Sequence, residues 1–266
     1  MSGTSASVRR AAVAGLFYPG TADELNATLD ALLEGVPQHA LKPRAMIVPH
    51  AGYRYSGPVA ARAYGSLGSA ARSLRRVVLL GPSHREWFRG LALPAANAFA
   101  TPLGVVRIDE GAGNELRQLS GVVVSDAPHR LEHSLEVQLP FLQRLAPEAQ
   151  IVPIVSGDAS PAEVASVIET LWGSSDTLIL VSSDLSHYHP YAVARGLDAS
   201  TAEAILAGKE TLSGEEACGC VAVNGLTCAV RRCGLRGEVL DLRNSGDTAG
   251  DRQRVVGYGA FGFYDA

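Results

Sequence analysis

The residues with the clearest chemical potential in this 266-residue chain are histidines placed just after apolar runs. His50 follows Met46-Ile47-Val48 and Pro49, and His84 follows Val77-Val78-Leu79-Leu80-Gly81-Pro82-Ser83. A third run, Leu178-Ile179-Leu180-Val181, leads through Ser182-Ser183 to Asp184 and His187. Runs of this length and composition read as buried strands, and Pro49 cannot continue a central ladder. The polar groups therefore sit just past strand carboxyl ends, where open α/β sheets bind their ligands. A lone histidine there could equally cap the next helix or contact a carbonyl. Three placements of one kind argue for a shared pocket, and neutral imidazole is the commonest metal ligand. Two imidazoles delivered by separate rigid strands would hold an ion at fixed geometry, with Asp184 and His187 beside it.

Cys218 is the third candidate ligand. It follows Glu215-Glu216-Ala217 and precedes Gly219. The pattern predicts a helix over residues 215–232, and the start of a helix favours a thiolate. A small buried hydrophobe is the other reading of a free cysteine, and it is the one assigned to Cys228 and Cys233 on the apolar run of that helix. Cys220 fits either. Four cysteines within sixteen residues, on one helix and without C-x-x-C pairs, form neither a secreted disulfide framework nor a zinc ribbon.

His129-Arg-Leu-Glu132-His133 spells H-x-x-E-H, which on one helix would present two histidines with a general base. Pro128 starts the helix too late to present both properly. Glu132 and His133 are expected instead to line the strand-end pocket, together with Tyr53 and Ser83. Gly257-Tyr-Gly-Ala-Phe-Gly262 matches a dinucleotide fingerprint but has no helix after it. The polar stretch Asp241 to Asp251 lacks the EF-hand rhythm and reads as a loop on the pocket.

The elements that must position these groups follow from periodicity and breakers. A helix is expected from Thr21 to about Leu33, and another over Ser56 to Leu67 after the Ala51-Gly52 turn. Leu91–Leu93 and 105–106 are predicted as short antiparallel strands joined by an irregular stretch. Residues 115–119 should be helical and 122–124 extended. Residues 132–145 carry a leucine stripe at helical spacing, with Pro140 expected to kink it. A strand over 151–155, a helix over 161–171, a helix over 198–206 and closing strands at 239–242 and 255–263 complete the chain. No linker or composition break divides it, so one α/β domain over residues 1–266 is expected: a central mixed β-sheet flanked by helices.

Composition narrows the function. Hydrophobic residues make up 47% and charged residues 19%, with a net charge of −4. That is a globular chain without the basic stripe or aromatic platform of a nucleic-acid binder. No apolar run reaches the length of a membrane span. Arg9-Arg10 faintly imitates a twin-arginine signal, but the apolar stretch after it ends at Tyr18-Pro19-Gly20 without a cleavage site, and a cytoplasmic protein is expected.

Taken together, the motifs resemble those of the Memo family, protein B of the Ammecr–Memo–radical-SAM system. The likeness runs nearly end to end. It covers Val13-Ala-Gly-Leu-Phe-Tyr-Pro19, Pro49-His-Ala-Gly-Tyr53, Gly81-Pro-Ser-His84, Glu132-His-Ser-Leu-Glu-Val-Gln-Leu-Pro140, Ser182-Ser-Asp-Leu-Ser-His187, Cys218-Gly219, Asn244-Ser-Gly-Asp-Thr-Ala-Gly250 and Gly257-Tyr-Gly259. The resemblance implies the fold of class III extradiol dioxygenases and a metal held by two histidines and a cysteine, here His50, His84 and Cys218. Fe(II) is the expected metal, with copper or zinc as alternatives, since a thiolate favours these over magnesium or calcium. Asp184 and His187 would act beside the metal as catalytic groups. The activity implied is that of a metal-dependent dioxygenase or oxidoreductase acting on a small, aromatic molecule. The alternative is a non-catalytic component that holds a metal or a peptide tail for a radical-SAM partner. Two departures stand out. Cys220, Val221 and Ala222 follow Cys218-Gly219 where a basic or polar residue and then a proline are usual, so Cys220 could rival Cys218. The dioxygenase relatives use a carboxylate where this family has the cysteine, which sets ring cleavage itself apart from the metal site.

Overall fold

Side-chain alternation along the apolar runs sorts the core onto two faces of one sheet. A computed structural model describes residues 7–39, 41–173 and 175–266. Its strands are β1 (Val8–Arg9), β2 (Ala45–Val48), β3 (Arg76–Pro82), β4 (Leu91–Leu93), β5 (Ala98–Thr101) and β6 (Gly104–Arg107). Then come β7 (Val122–Val124), β8 (Gln150–Ser156), β9 (Thr177–Ser182), β10 (His187–His189), β11 (Arg236–Asn244) and β12 (Val255–Tyr264). The main sheet runs β10-β12-β2-β9-β3-β8-β4-β7, with β11 also paired to β12, and β1-β5-β6 form a small second sheet. The sheet is mixed: β2, β9, β3 and β8 are mutually parallel, whereas β12 is antiparallel to β2.

Met46, Val48, Val77, Leu79, Leu178 and Leu180 face one core, shared with the helices Ala22–Leu33, Tyr53–Ser66 and Leu139–Leu145. Ala45, Ile47, Val78, Leu80, Ile179 and Val181 face the other, packed by Pro161–Thr170, Tyr191–Leu206 and Cys220–Cys233. The expected helix-flanked mixed sheet is therefore observed. Strands buried on both faces are uniformly apolar, which is why they read as continuous runs.

Several local expectations need correction. Residues 132–145 do not make one kinked helix: a 3-10 turn, Glu136–Gln138, precedes the helix Leu139–Leu145, with Pro140 in its first turn. Proline's missing N–H costs nothing there, so Pro140 starts a helix instead of bending one. Leu91–Leu93 and residues 105–106 lie in different sheets. The intervening stretch carries β5, which forms a hairpin with β6 across a turn where Gly104 has φ 113°. The helix expected over 198–206 begins earlier, at Tyr191.

Candidate metal centre

Strand register brings the centre together. In the parallel pair β2–β9, Val48 lies opposite Ser182, so the chain leaves both strands side by side. The next residues interlock: the His50 backbone N–H donates to Asp184 Oδ1 at 2.7 Å. On the far side of β9, β3 ends at Pro82 and releases His84.

The three imidazoles of His50, His84 and His133 converge, each offering a ring nitrogen within 4.8 Å of the others. The His50 ring stands edge-on to both His84 and His133, with centroids 5.2 and 5.4 Å away, while His84 and His133 lie near-parallel at 4.5 Å.

Hydrogen bonds orient the rings. Ser182 Oγ donates to the Ser134 carbonyl at 2.6 Å and accepts from Gln138 Nε2 at 2.9 Å. Its remaining lone pair faces His50 Nδ1 at 2.9 Å, so that nitrogen carries the proton and Nε2 keeps its lone pair. Glu132, buried beneath, accepts from His84 Nδ1 and from the His84 backbone N–H, both at 2.8 Å. It also accepts from the backbone N–H groups of His133 and Ser134 at 2.9 Å, and its Oε1 lies 3.3 Å from His133 Nδ1. Backing a ring N–H with a carboxylate fixes the tautomer and raises ligand basicity.

Burial keeps His50 and His133 unprotonated. Burial and the neighbouring His84 and His133 drive His50 well below its ordinary pKa. Burial brings His133 down to about 4, against the opposing pull of Glu132. Burial alone would raise Glu132, but the bonds and charge from His84 and the Ser134 N–H hold it down at about 2. The neutral rings of His50 and His133 over the ionised Glu132 carboxylate suit a cation.

Cys218 lies beside His50, next to the cluster of three ring nitrogens. Its Sγ is 3.2 Å from His50 Nε2 and accepts the Asp184 backbone N–H at 3.3 Å. The residue precedes the helix Cys220–Cys233 instead of lying in it, and is strapped to the end of β9 by its own N–H to the Asp184 carbonyl and by Gly219 N–H to Ser183 Oγ. Gly219 is required by closeness: a Cβ there would sit 2.7 Å from Ser183 Cβ and 2.8 Å from the Ser182 carbonyl. The expected thiolate-favouring environment is not found in the protein alone, since burial and the Asp184 carboxylate push the thiol up. A bound cation is what would make the sulfur ionise.

The cluster forms part of the wall of a cavity of about 1190 Å³. Asp184 and His187 line it as expected, beside Phe17, Tyr55, Tyr188 and Tyr258. Burial raises Asp184 to about 7 and lowers His187. The polar stretch before Asp251 contributes Ser245, Ala249 and Gly250 to the wall, although residues Ser245–Thr248 are helical.

Other expected pocket residues lie elsewhere. The Tyr53 ring turns into the core against Phe141 and donates its hydroxyl to the Val137 carbonyl at 2.7 Å. Ser83 Oγ closes a local turn onto the Glu86 carbonyl. Glu132 supports the pocket from below without lining it. Cys220 packs against the apolar cluster on the helix face of the sheet, outside the cavity, so it does not compete with Cys218. Cys228 is buried as expected, whereas Cys233 is exposed. His129 points away from His133 and meets the Ala92 carbonyl at 2.9 Å, which breaks the H-x-x-E-H reading. His133 itself, expected only to line the pocket, belongs to the histidine cluster. Its signal was adjacency to Glu132, since a buried carboxylate gathers the ring and backbone N–H groups next to it.

Among the described residues no helix is long and apolar enough to cross a membrane. Residues 9–261 match the family model described as Memo-like protein. A MEMO1 family protein of Aquifex aeolicus is 40% identical, the match covering 94% of this chain and 97% of that one. One from Nitrosopumilus maritimus is 34% identical, with 96% and 99% covered. In three dimensions the chain is similar to uncharacterized protein JW3007 from Escherichia coli K12, at TM-score 0.50 and 13% identity over 82% of this chain and 98% of that one, which supports a shared fold. Matched along nearly its whole length, the chain belongs to the Memo-like family.

Proposed function

We propose that the protein is a mononuclear metal-dependent redox enzyme of extradiol-dioxygenase type, binding Fe(II) through His50, His84 and Cys218. The observation that supports this reading is a cluster of imidazoles, His50 and His84 among them with ring N–H groups engaged by Ser182 and Glu132, that borders a large cavity and has the Cys218 sulfur 3.2 Å from His50 Nε2. Nitrogen and thiolate donors suit iron, copper or zinc better than hard cations. When bound, Fe(II) would supply Lewis acidity and one-electron chemistry toward a small substrate and dioxygen.

The chain's own residues have separable tasks. Ser182 and Glu132 hold the two rings, and the Asp184 backbone N–H steadies the sulfur. His187, kept neutral by burial, is placed on the cavity wall to accept a proton from a bound hydroxyl. Asp184 orients His50 by accepting its backbone N–H. A second reading has His133 in place of Cys218 as the third ligand, favoured by the closeness of the three ring nitrogens.

Anaerobic Fe(II) titration followed by oxygen uptake with catechol-type substrates tests the proposal. One iron per chain is expected, abolished in His84→Ala. A His187→Gln variant should keep its iron and lose roughly 10²- to 10⁴-fold in turnover. A chain that takes up no stoichiometric metal overturns the proposal. Retained iron affinity in Cys218→Ser with loss in His133→Ala selects the second ligand set.

A further inference from the structure

The cavity wall carries one permanently charged cation among the residues that line it, Arg254, alongside the carboxylates of Asp184, Glu215 and Asp251. None of the ion pairs among the described residues involves Arg254. Asp251, the nearest carboxylate in sequence, turns its Oδ1 to the backbone N–H groups of Gln253 and Arg254, at 2.8 and 3.4 Å. Arg252, two residues before, goes to a different ring and lies 4.5 Å from the centroid of Tyr191. The Arg254 guanidinium lies over the ring of Tyr188, 5.2 Å from its centroid.

Tyr188 is itself unusual. Its φ of 63° makes it the one non-glycine residue with positive φ among the described residues. Such a conformation persists only where the surroundings impose it, and it clusters at ligand sites. Here a bulge between His187 and His189 interrupts their pairing with β12, and bulges re-aim side chains. His189 pairs with Val255, the residue after Arg254, so the register holds ring and guanidinium together. Exposed to 62% and lining the cavity, Tyr188 makes a platform that fixes the guanidinium without neutralising it.

We propose that Arg254 on its Tyr188 platform binds the carboxylate of a small planar substrate, so that the substrate class is a monoanionic carboxylic acid. This rests on reading the cavity as a substrate site. A planar guanidinium presents paired N–H donors that match a carboxylate's two oxygens. Glu215 and Asp251 share the wall with a single arginine, which suits one negative charge and disfavours a phosphate dianion. Phe17 and Tyr55 supply flat apolar surface for the body of such a molecule.

Calorimetry on the full chain, Fe(II)-loaded and metal-free under anaerobic conditions, tests this with 3,4-dihydroxybenzoate, its neutral amide 3,4-dihydroxybenzamide, and phenyl phosphate. The wild-type protein should prefer acid over amide by about 10- to 100-fold, the range of a charge-assisted contact. Arg254→Gln should erase that preference without altering amide affinity or iron stoichiometry, and Arg254→Lys should restore part of it. Equal binding of acid and amide, a preference that survives Arg254→Gln, tighter binding of phenyl phosphate, or no binding of the acid each overturns the proposal. Failure of the metal reading is separate: iron uptake would be absent while the metal-free chain still prefers the acid.

Discussion

Glu132 engages two histidines at once: Oε1 accepts from the His84 ring N–H and the His133 backbone N–H, and Oε2 accepts from the His84 backbone N–H. Replacing it by Gln would set an amide N–H against one of those donors, and metal affinity should fall about 10- to 100-fold, the usual cost of losing such a support. Titration of Glu132→Gln with Fe(II) measures it. Acid sensitivity has a distinct residue-scale source in His129, buried with Nδ1 unpartnered. Burial lowers its pKa from 6.5 to about 4, so folding favours the neutral ring. A depressed histidine contributes stability that is complete above the unfolded pKa and is lost as pH falls from about 6.5 toward 4. The loss is on the order of 3 kcal/mol, from roughly 1.4 kcal/mol per pH unit. Urea midpoints should therefore drop between pH 7 and pH 4 by less in His129→Gln than in the wild type. An unchanged pH slope in the variant would refute this assignment.

At the scale of elements, the proposed centre depends on how closely the segment before the helix Cys220–Cys233 can approach β9. Gly219→Ala would drive a methyl into Ser183 and the Ser182 carbonyl, displacing Cys218. The cost expected for such overpacking is about 1–3 kcal/mol, read from denaturant midpoints, with weaker metal uptake in the same variant. The strand ends were legible in sequence because Pro49 and the uniformly apolar runs mark both the strand and its stop. His50, His84 and Asp184 then follow from register alone. Long-range approach was not legible: nothing local tells that Tyr53 packs on Phe141 or that Ser83 caps its own turn. Cys218 was found as a residue but assigned to a helix, because Glu215-Glu216-Ala217 favours one. The close packing on β9 that holds it just outside is set by residues far back in the chain, with Asp184 34 positions before Cys218 and Ser183 36 before Gly219. His133 was under-read for the same reason, since its place depends on the buried carboxylate beside it.

For the molecule as a whole, a buried ion pair ties the amino-terminal segment to the rest. Glu136 receives Arg9 Nη1 at 2.5 Å, the N–H groups of Ala12 and Val13, and the Tyr18 hydroxyl. That clasp sets Phe17 against His133, ring centroids 4.7 Å apart, so the first residues of the fold complete the cavity wall. Arg9→Met would leave a buried carboxylate without its cation and should destabilise the fold by about 3–5 kcal/mol, measured by urea denaturation. The mixed sheet buries both faces and leaves its parallel carboxyl ends as the place where distant segments meet. Anaerobic Co(II) titration with optical spectroscopy probes that meeting point most directly. The proposed centre predicts one ion per chain and a thiolate-to-cobalt charge-transfer band, with the band lost in Cys218→Ser and binding lost in His50→Ala. Substoichiometric uptake, or uptake that is the same in His50→Ala, would contradict it.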